Sequence, residues 1–532
     1  MIKVTYRLLS LFLISLFILI SCANTTKYDY VIKNGRIVDG MGNPWFKTDI
    51  GIKADKIVKI GLIPESHKTT NIDASGKIVT PGFIDIHSHA DSRILDDPTA
   101  HNMIAQGTTT VIGGNCGGSR LNLEEFFQQI ETKGTAVNIG SFVGHGSVRR
   151  KVMGNAGREP TTDELETMKN IVEHEMKNGA LGLSTGLKYQ PGVFSKTNEI
   201  ISIAKVASRF GGIYVSHLRD EGLKLFESIN EAIEIGKKAA IPVEVSHHKA
   251  AGAEMWGKTK ISLAMMEDAR QRGIDVTTDL HPYPATFTGL PILFPAWALE
   301  GNKSEILKRL SDKNIRKKVI DGIVFNIQKD RGGNDIRNIT IAVCKHDKSI
   351  EGKNLKEILE VRSIEPTMQN AAELVIQIYE NGNASAVYHC LSMEDVVRIL
   401  QHPLAIHSSD AGIAEYKKGK PHPRHYGHFP RILAKHVRED GDLELEEAIN
   451  KMTSMPAWRV GLRDRGIISE GKYADIVIFD PDKIQDKATF QNPHQYPEGI
   501  EYVFVNGIIT INKGTITGEL PGKVILGPGK TH

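Results

Sequence analysis

The sequence predicts an α/β protein: a (β/α)8 TIM-type barrel joined to a small β-sandwich domain that is built from both termini. Through the middle of the chain, apolar runs that end in polar or glycine residues alternate with longer amphipathic segments. About eight such units over this length fit a barrel of ~250 residues or more. Short alternating runs broken by turn residues occur near both ends and predict the β domain.

Length and charge limit the possible functions. The 532 residues exceed one simple core, so we expect either one large domain with an accessory domain or two to four smaller domains. Lysine and arginine number 66 against 63 for aspartate and glutamate, which gives a net charge of +3. This balance offers no electrostatic basis for binding nucleic acid or an anionic membrane, and we expect no nucleic-acid partner.

The first residues resemble a bacterial lipoprotein export signal. Lys3 and Arg7 precede an uncharged run, 8–20, that is short for a membrane span of ~20 residues. The resemblance implies a signal peptide over 1–22, lipidation of Cys22 and a tether over 23–27. The protein would then be an exported lipoprotein of the outer membrane, periplasm or cell surface of a bacterium, with membrane contact only through the anchor at Cys22. A short N-terminal anchor is the alternative, but it leaves Cys22 unexplained.

Three further cysteines follow, namely Cys116, Cys344 and Cys390. An exported compartment permits disulfides, but an odd count leaves one thiol over. Cys344 and Cys390 are either a pair or buried single residues.

The β domain is predicted over 28–80 and 461–532. Asn34-Gly35 and Ala54-Asp55 each separate two apolar runs and predict hairpins. Asn506-Gly507 repeats the pattern near the other end. One small β domain made from both ends is the simplest architecture.

The barrel is predicted over 81–460. Its candidate strands are 84–87, 109–112, 136–143, 182–184, 213–215, 243–245, 276–279 and 404–406. Helices are predicted over 161–177, 222–239 and 261–272. A doubly wound sheet is the alternative, but no Gly-x-Gly-x-x-Gly follows its first strand.

A stretch at about 287–340 interrupts this rhythm and predicts an insertion over one barrel loop. It contains Pro291, Pro295, Trp297 and a charged helical segment over 303–329. Such insertions often serve as lids. The alternative is a solvent-exposed segment with only a structural role.

His87 and His89 leave the end of the first strand two residues apart. Side chains alternate along an extended strand, so both imidazoles lie on one face and can converge on one metal ion. Two core histidines without a ligand are an equally ordinary explanation of a short His-x-His.

Other strand ends carry further metal-type ligands, and barrel sites form at the carboxyl ends of strands. These residues are Cys116, His217, His247 and Asp410. Each has a structural alternative, because Cys116 could be a small buried residue, the histidines could cap their strands, and Asp410 could cap a helix. Asp410 nevertheless suits a general base beside a metal. His248 should point to the opposite face from His247, and His145 either lines the site or holds a loop.

The chain resembles the amidohydrolase superfamily, and within it the N-acyl-D-amino-acid deacylases. The segments that carry the resemblance are 81–89, 114–117, 184–189, 216–219, 246–249, 409–410 and 422–424. The first of these indicates only the superfamily, whereas Cys116 and Arg424 indicate the deacylases.

The resemblance implies zinc, with one tightly held ion on Cys116, His217 and His247. A weaker second position would involve His87, His89 and Asp410. Many superfamily members bridge two metals with a carboxylated lysine on the fourth strand, and 182–184 contains no lysine. Asp410 would accept the proton of the attacking water and protonate the departing amine.

The resemblance also implies residues that bind the substrate, a small N-acyl amino acid. Arg424 matches the arginine that holds its carboxylate. Lys249, Tyr189 and Tyr283 match positions near the substrate. Members often carry a serine shortly after the tyrosine matched by Tyr283, whereas 284–287 reads Pro-Ala-Thr-Phe here.

These features predict zinc-dependent hydrolysis of N-acyl-D-amino acids. The D preference comes from the resemblance alone. A cyclic-amide hydrolase of the dihydroorotase or hydantoinase kind is the first alternative, although such enzymes usually carry the bridging lysine. A metal-binding surface lipoprotein without activity is the second, and the presence of Asp410 argues against it. Side-chain preference, acyl preference and oligomeric state are not readable from the sequence.

Overall fold

The computed structural model describes residues 28–65 and 69–530. The predicted signal peptide over 1–22, Cys22 and the tether over 23–27 lie outside the described residues. None of the helices within the described ranges is long and apolar enough to cross a membrane.

Strands and helices alternate through the middle of the chain. The strands are Tyr30–Lys33, Arg36–Ile37, Phe46–Lys47, Asp49–Lys53, Lys56–Gly61, Thr70–Asp73, Ile78–Pro81, Phe83–Asp85, Thr108–Gly113, Asn138–Ser141, Val143–Gly144, Gly182–Gly186, Ile213–His217, Val243–Val245, Val276–Leu280, Thr286–Gly289, Ile339–Val343, Ser385–Tyr388, Ala405–His407, Ile476–Phe479, Ile500–Val505, Ile508–Asn512 and Thr515–Ile516. The α-helices are His101–Ile104, Leu123–Lys133, His145–Met153, Thr162–Lys177, Thr197–Arg209, Leu225–Ala239, Thr259–Gln271, Lys303–Ser311, Lys313–Lys329, Leu355–Val361, Met368–Glu380, Met393–Gln401, Arg424–Arg431, Leu445–Met452 and Ser454–Arg459.

The central strands pair in parallel, and their order is cyclic. The order runs Phe83–Asp85, Thr108–Gly113, Asn138–Ser141 with Val143–Gly144, Gly182–Gly186, Ile213–His217, Val243–Val245, Val276–Leu280 and Ala405–His407. A parallel bridge between Ser88 and Ala411 then links the chain beyond the last strand to the chain beyond the first. Each predicted strand overlaps an observed one, so the strand predictions are confirmed.

The central strands are buried because helices cover their outer faces. A single large hydrophobic cluster joins strand residues such as Val111 and Val245 to helix residues such as Ile203 and Ile229. Every residue of the strands Thr108–Gly113, Gly182–Gly186 and Ile213–His217 is buried, as expected for a parallel sheet that is covered on both sides.

Both ends of the chain contribute to one seven-stranded sheet. Ile78–Pro81 pairs antiparallel with Ile476–Phe479, so strands from the two parts of the chain lie side by side in this sheet. A four-stranded sheet formed by 30–73 shares a hydrophobic cluster with it, in which Ile50 packs with Ile476 and Phe504.

One predicted hairpin is wrong. The strands on either side of Asn34-Gly35 belong to different sheets, because Tyr30–Lys33 pairs with Asp49–Lys53 while Arg36–Ile37 pairs with Phe46–Lys47. Asn34 has a φ of 64° and its amide donates to Asp73 at 2.9 Å, so this turn connects two layers. The hairpins at 54–55 and 506–507 are confirmed.

The segment that interrupts the strand–helix alternation extends beyond the predicted end at about 340. Thr286–Gly289 and Ile339–Val343 both pair antiparallel with Ser385–Tyr388. A separate hydrophobic cluster that includes Leu290, Ile323 and Leu391 packs around this sheet and its helices. We call residues 286–391 the inserted unit. Cys344 and Cys390 lie within it as free, buried thiols.

Candidate metal centre

Cys116, His217 and His247 come together at the carboxyl ends of three parallel strands. The Cys116 sulfur lies 3.7 Å from Nδ1 of His217 and 3.5 Å from Nε2 of His247. These two imidazole nitrogens are 2.7 Å apart. In a tetrahedral zinc site, neighbouring sulfur and nitrogen ligands are roughly 3.5 Å apart. The sulfur–nitrogen distances of the trio therefore suit zinc, and the two imidazole nitrogens would need to move apart slightly.

His87, His89 and Asp410 form the adjoining part of the same centre. Nε2 of His87 lies 3.4 Å from the Cys116 sulfur and 3.7 Å from Oδ1 of Asp410. Nε2 of His89 lies 3.2 Å from the same carboxylate oxygen. His87, His247 and Asp410 also lie close enough to share an ion. The structure therefore brings all six predicted metal and catalytic residues into one cluster.

The backbone is strained at three of these residues. Cys116, His247 and Asp410 have φ values of 52°, 34° and 51°. A positive φ is uncommon for residues other than glycine, and such outliers concentrate at functional sites. The strain turns each side chain away from its strand direction and toward the cluster.

Gly186 allows the loop of Cys116 to take its position. A Cβ atom at residue 186 would lie 2.1 Å from the Cys116 carbonyl oxygen, which no real side chain tolerates. The Asn115 amide fixes the same loop by donating to the Ile112 and Ile86 carbonyl oxygens at 2.9 and 3.1 Å. The thiol is thus placed by backbone packing as well as by its own contacts.

Carboxylates that the sequence reading missed support the histidines from behind. Asp279 accepts a hydrogen bond from the His247 backbone at 2.8 Å and lies 3.1 Å from Nδ1 of His87. Asp85 accepts from the Ser409 backbone at 3.0 Å and so holds the chain next to Asp410. Asp85 follows the apolar residues Phe83 and Ile84, and Asp279 is the last residue of a predicted strand, so these positions were the signal available in the sequence.

Glu221 is a third missed carboxylate, and it lies beneath the metal trio. Its oxygens are 3.1 Å from Nδ1 of His247 and 3.6 Å from Nε2 of His217. A carboxylate on one ring nitrogen directs the lone pair of the other nitrogen toward a metal. Glu221 also accepts from Lys249 at 2.6 Å and from Arg331 of the inserted unit at 2.5 Å.

Burial sets the charge state of the histidines. It lowers the pKa of His87 to about 3 and takes the pKa of His217 well below its usual value. The pKa of His247 is also lowered, first by burial and then by the Lys249 ammonium. These imidazoles are therefore neutral at physiological pH, which is the form that binds metal.

For Asp410, neighbouring groups decide the charge state and burial does not. Burial opposes its ionisation, but the Arg424 guanidinium and the hydrogen bond with His89 outweigh burial and hold the pKa of Asp410 well below its usual value. Glu221 is held ionised in the same way, because the Lys249 ammonium and the Arg331 guanidinium overcome the effect of burial on its pKa. The cluster thus combines the neutral imidazoles of His87, His217 and His247 with two ionised carboxylates.

The cluster forms the floor of a cavity of about 400 Å³, which we call the metal-centre cavity. Arg424, Lys249 and Tyr189 line it, as do Thr286 and Phe287 of the inserted unit. Nη1 of Arg424 lies 2.8 Å from Oδ2 of Asp410, and the ring of Tyr189 lies 4.6 Å from that of His217.

Three other candidates lie outside the lining of this cavity. Tyr283 is buried with its ring 5.0 Å from that of His422. His145 contacts Glu199 at 2.8 Å in a buried cluster, and His248 contacts Ser262 at 2.7 Å on the far side of its strand.

The donor set fits a divalent metal. A thiol and neutral imidazoles are the ligands that zinc prefers, and carboxylates orient the imidazoles from behind. Nε2 of His217 has no hydrogen-bond partner within the described part of the chain, although it is buried. If Nδ1 of His217 held the ion, the ring proton would be on this Nε2, which lies 3.6 Å from Glu221.

Comparison with known proteins supports this assignment. Residues 70–511 match the Amidohydrolase family. The D-aminoacylase of Alcaligenes xylosoxydans xylosoxydans is 31% identical over 95% of this chain and 99% of its own length. The N-acyl-D-aspartate deacylase of the same organism is 32% identical over 94% of this chain and 95% of its own length.

A solved structure has the same fold. The N-acyl-D-glutamate deacylase of Bordetella bronchiseptica was crystallised with zinc and a phosphonate inhibitor that mimics the tetrahedral intermediate of its reaction. It superposes with a TM-score of 0.80 at 30% identity, over 94% of this chain and 100% of that one.

Proposed function

Because this chain belongs to the amidohydrolase family, we propose that it hydrolyses the amide bond of N-acyl-D-amino acids and releases a carboxylate and a free D-amino acid. The observation that carries the proposal is the position of the Asp410–Arg424 pair beside Cys116, His217 and His247 on one cavity wall. The two curated relatives and the solved structure described above are all named as deacylases of D-amino acids.

We propose zinc as the metal, with the tight position on Cys116, His217 and His247. The weaker second position would use His87, His89 and Asp410. When bound, zinc supplies a Lewis acid that polarises the amide carbonyl and acidifies water. The thiol at Cys116 supports zinc over magnesium or calcium, which prefer oxygen ligands.

Asp410 is the proposed general base and acid. Its carboxylate is ionised, so it accepts the proton of the attacking water as the oxygen–carbon bond forms. It then delivers that proton to the amide nitrogen as the carbon–nitrogen bond breaks. No acyl–enzyme intermediate is required, and the products leave as a carboxylate and an amine.

Arg424 is proposed to bind the substrate carboxylate, with Lys249 and Tyr189 as further substrate residues, whereas the buried Tyr283 lies outside the cavity lining. Without substrate, Arg424 pairs with Asp410. A substrate carboxylate bound to the Arg424 guanidinium would offset part of its positive charge. Because that charge lowers the pKa of Asp410, the pKa would then rise. Substrate binding would therefore make Asp410 a stronger base.

The domain architecture around the site is also a proposal. We propose a closed (β/α)8 barrel over 81–460 and a β-sandwich from 28–80 and 461–532. The cyclic strand order and the cluster shared by two sheets support this division. We also propose export as a lipoprotein anchored at Cys22, and the residue pattern of 1–22 supports it.

A substrate panel tests the proposal. The zinc-loaded protein is assayed with neutral, basic and acidic N-acetyl-D-amino acids, a hydantoin and a lactone. We expect release of the free amino acid from at least one N-acetyl-D-amino acid, with kcat lowered about 10²- to 10⁴-fold by Asp410→Asn. Turnover of only the cyclic substrates would overturn the proposal.

A further inference from the structure

A second cavity of about 550 Å³ adjoins the metal-centre cavity, and we call it the side cavity. Tyr189, Thr288 and Ile292 line both cavities. The Thr288 hydroxyl donates to the Tyr189 oxygen at 3.1 Å, so the shared wall joins the central strands to the inserted unit. The side cavity therefore lies directly beside a ligand seated at the metal centre.

The far wall of the side cavity is apolar. It is made by Pro291, Phe294, Pro295, Ala296, Leu299 and Phe325. Phe325 is 53% exposed, so its ring is accessible to a ligand in the side cavity.

The charged residues at the edge of the side cavity already have partners. Lys188 lies within 3.1 Å of Asp220 and 2.9 Å of Asp330. Arg219 pairs with Glu231 at 2.9 Å. Arg150, at the exposed rim, donates to the Gln190 carbonyl oxygen at 2.8 Å. The interior therefore suits a hydrocarbon chain better than a charged group.

The order of groups across the metal centre gives the direction of the substrate. A series of contacts runs from Arg424 to Asp410, through His87 to Cys116, and then through His217 to Tyr189. A substrate with its carboxylate on Arg424 and its amide beside Cys116 directs its acyl group toward Tyr189 and the side cavity.

We propose that the side cavity binds the hydrocarbon chain of a medium-chain N-acyl group, so that the protein prefers medium-chain N-acyl-D-amino acids to N-acetyl ones. This inference rests on the proposed function. Burial of one methylene group is worth up to about fourfold in binding, so an octanoyl chain should gain at least about tenfold over acetyl.

The test measures kcat/KM for the acetyl, butanoyl, hexanoyl and octanoyl derivatives of one D-amino acid with the zinc-loaded protein. Phe325→Asp places a charge in the cavity, and Ala296→Trp fills part of it. Val361→Asp is the matched control, because Val361 is 73% exposed in the same inserted unit and lies outside the lining.

We expect kcat/KM to rise at least about tenfold from acetyl to octanoyl, and both cavity variants to remove this rise while acetyl turnover stays within about twofold. The control should keep the full rise. A flat or falling series in the unaltered protein, or a rise that survives both cavity variants, would overturn the inference.

Binding of free octanoate, measured by calorimetry, separates the inference from the proposed function. We expect octanoate to bind the unaltered protein and the control, and to bind both cavity variants at least about tenfold more weakly. Equal binding to all four proteins would remove the side cavity as the acyl site even if N-acetyl substrates are hydrolysed. Absence of turnover with every N-acyl substrate would instead defeat the proposed function, and the inference with it.

Discussion

Nη1 of Arg424 lies 2.8 Å from Oδ2 of Asp410, and both side chains are almost fully buried. The proposed substrate anchor and the proposed catalytic base are therefore in direct contact. Charge-assisted contacts of this kind are strong, because little water screens them. The chemistry of one residue consequently depends on the charge of the other.

This contact predicts a shifted pH profile for Arg424→Gln. The active form of Asp410 is ionised, and the guanidinium stabilises that form and lowers its pKa. Removal of the positive charge raises the pKa of Asp410, so the acidic limb of kcat should move to higher pH. Arg424→Lys keeps a charge and should move the limb less, while both variants raise KM. Identical acidic limbs in all three proteins would contradict the coupling.

The Cys116 thiol should be necessary for metal binding. We expect Cys116→Ser to lose most of the bound zinc and the activity together, because the tight position loses its thiolate. Zinc content by atomic absorption measures the effect. Cys390→Ser is the matched control, since that free thiol lies outside the metal cluster. Full zinc content in Cys116→Ser would make Cys116 a purely structural residue.

The backbone contact at Gly186 predicts loss of metal without any change of ligand. A Cβ atom there would lie 2.1 Å from the Cys116 carbonyl oxygen, so Gly186→Ala should displace the loop and lower zinc content. Gly118 lies in the loop that contains Cys116, and a Cβ atom there would be 3.8 Å from its nearest neighbouring atom. Gly118→Ala therefore serves as the control. Equal zinc content in the two variants would show that the loop tolerates the shift.

Glu221 should matter for stability as well as for the metal. Glu221→Gln leaves the ammonium of Lys249 and the guanidinium of Arg331 buried without their shared carboxylate. Loss of one partner of a buried ion pair typically costs about 3 kcal/mol or more, and Tm should fall. Glu234→Gln breaks only the exposed pair with Lys238 and should cost under about 1 kcal/mol. Calorimetry of both variants distinguishes a buried network from a surface pair.

The strands and most of the metal cluster could be predicted from the sequence because both depend on local patterns. Apolar runs mark the strands, and polar residues at their carboxyl ends mark the site, as with His87 and Cys116. Asp279 lies one residue before the end of the strand Val276–Leu280, but its contact with His87, which lies 192 residues away in the chain, has no local sequence signal.

Other features depend on contacts between distant parts of the chain. Arg331 reaches Glu221 from the inserted unit, 110 residues away, and no local pattern signals that contact. The end of the inserted unit was missed because Ser385–Tyr388 pairs with strands that precede it by up to about 100 residues. The turn at Asn34-Gly35 has a hairpin sequence, but sheet packing against Val79 separates its two strands.

The central claim is that this metal centre cleaves the amide bond of N-acyl-D-amino acids. The most direct measurement compares the release of free amino acid from matched N-acetyl-D- and N-acetyl-L-amino acids by the zinc-loaded protein, with Asp410→Asn alongside. The account predicts turnover of the D series, much slower or no turnover of the L series, and loss of both in Asp410→Asn. Equal turnover of the two series, or full activity without the Asp410 carboxylate, would contradict it.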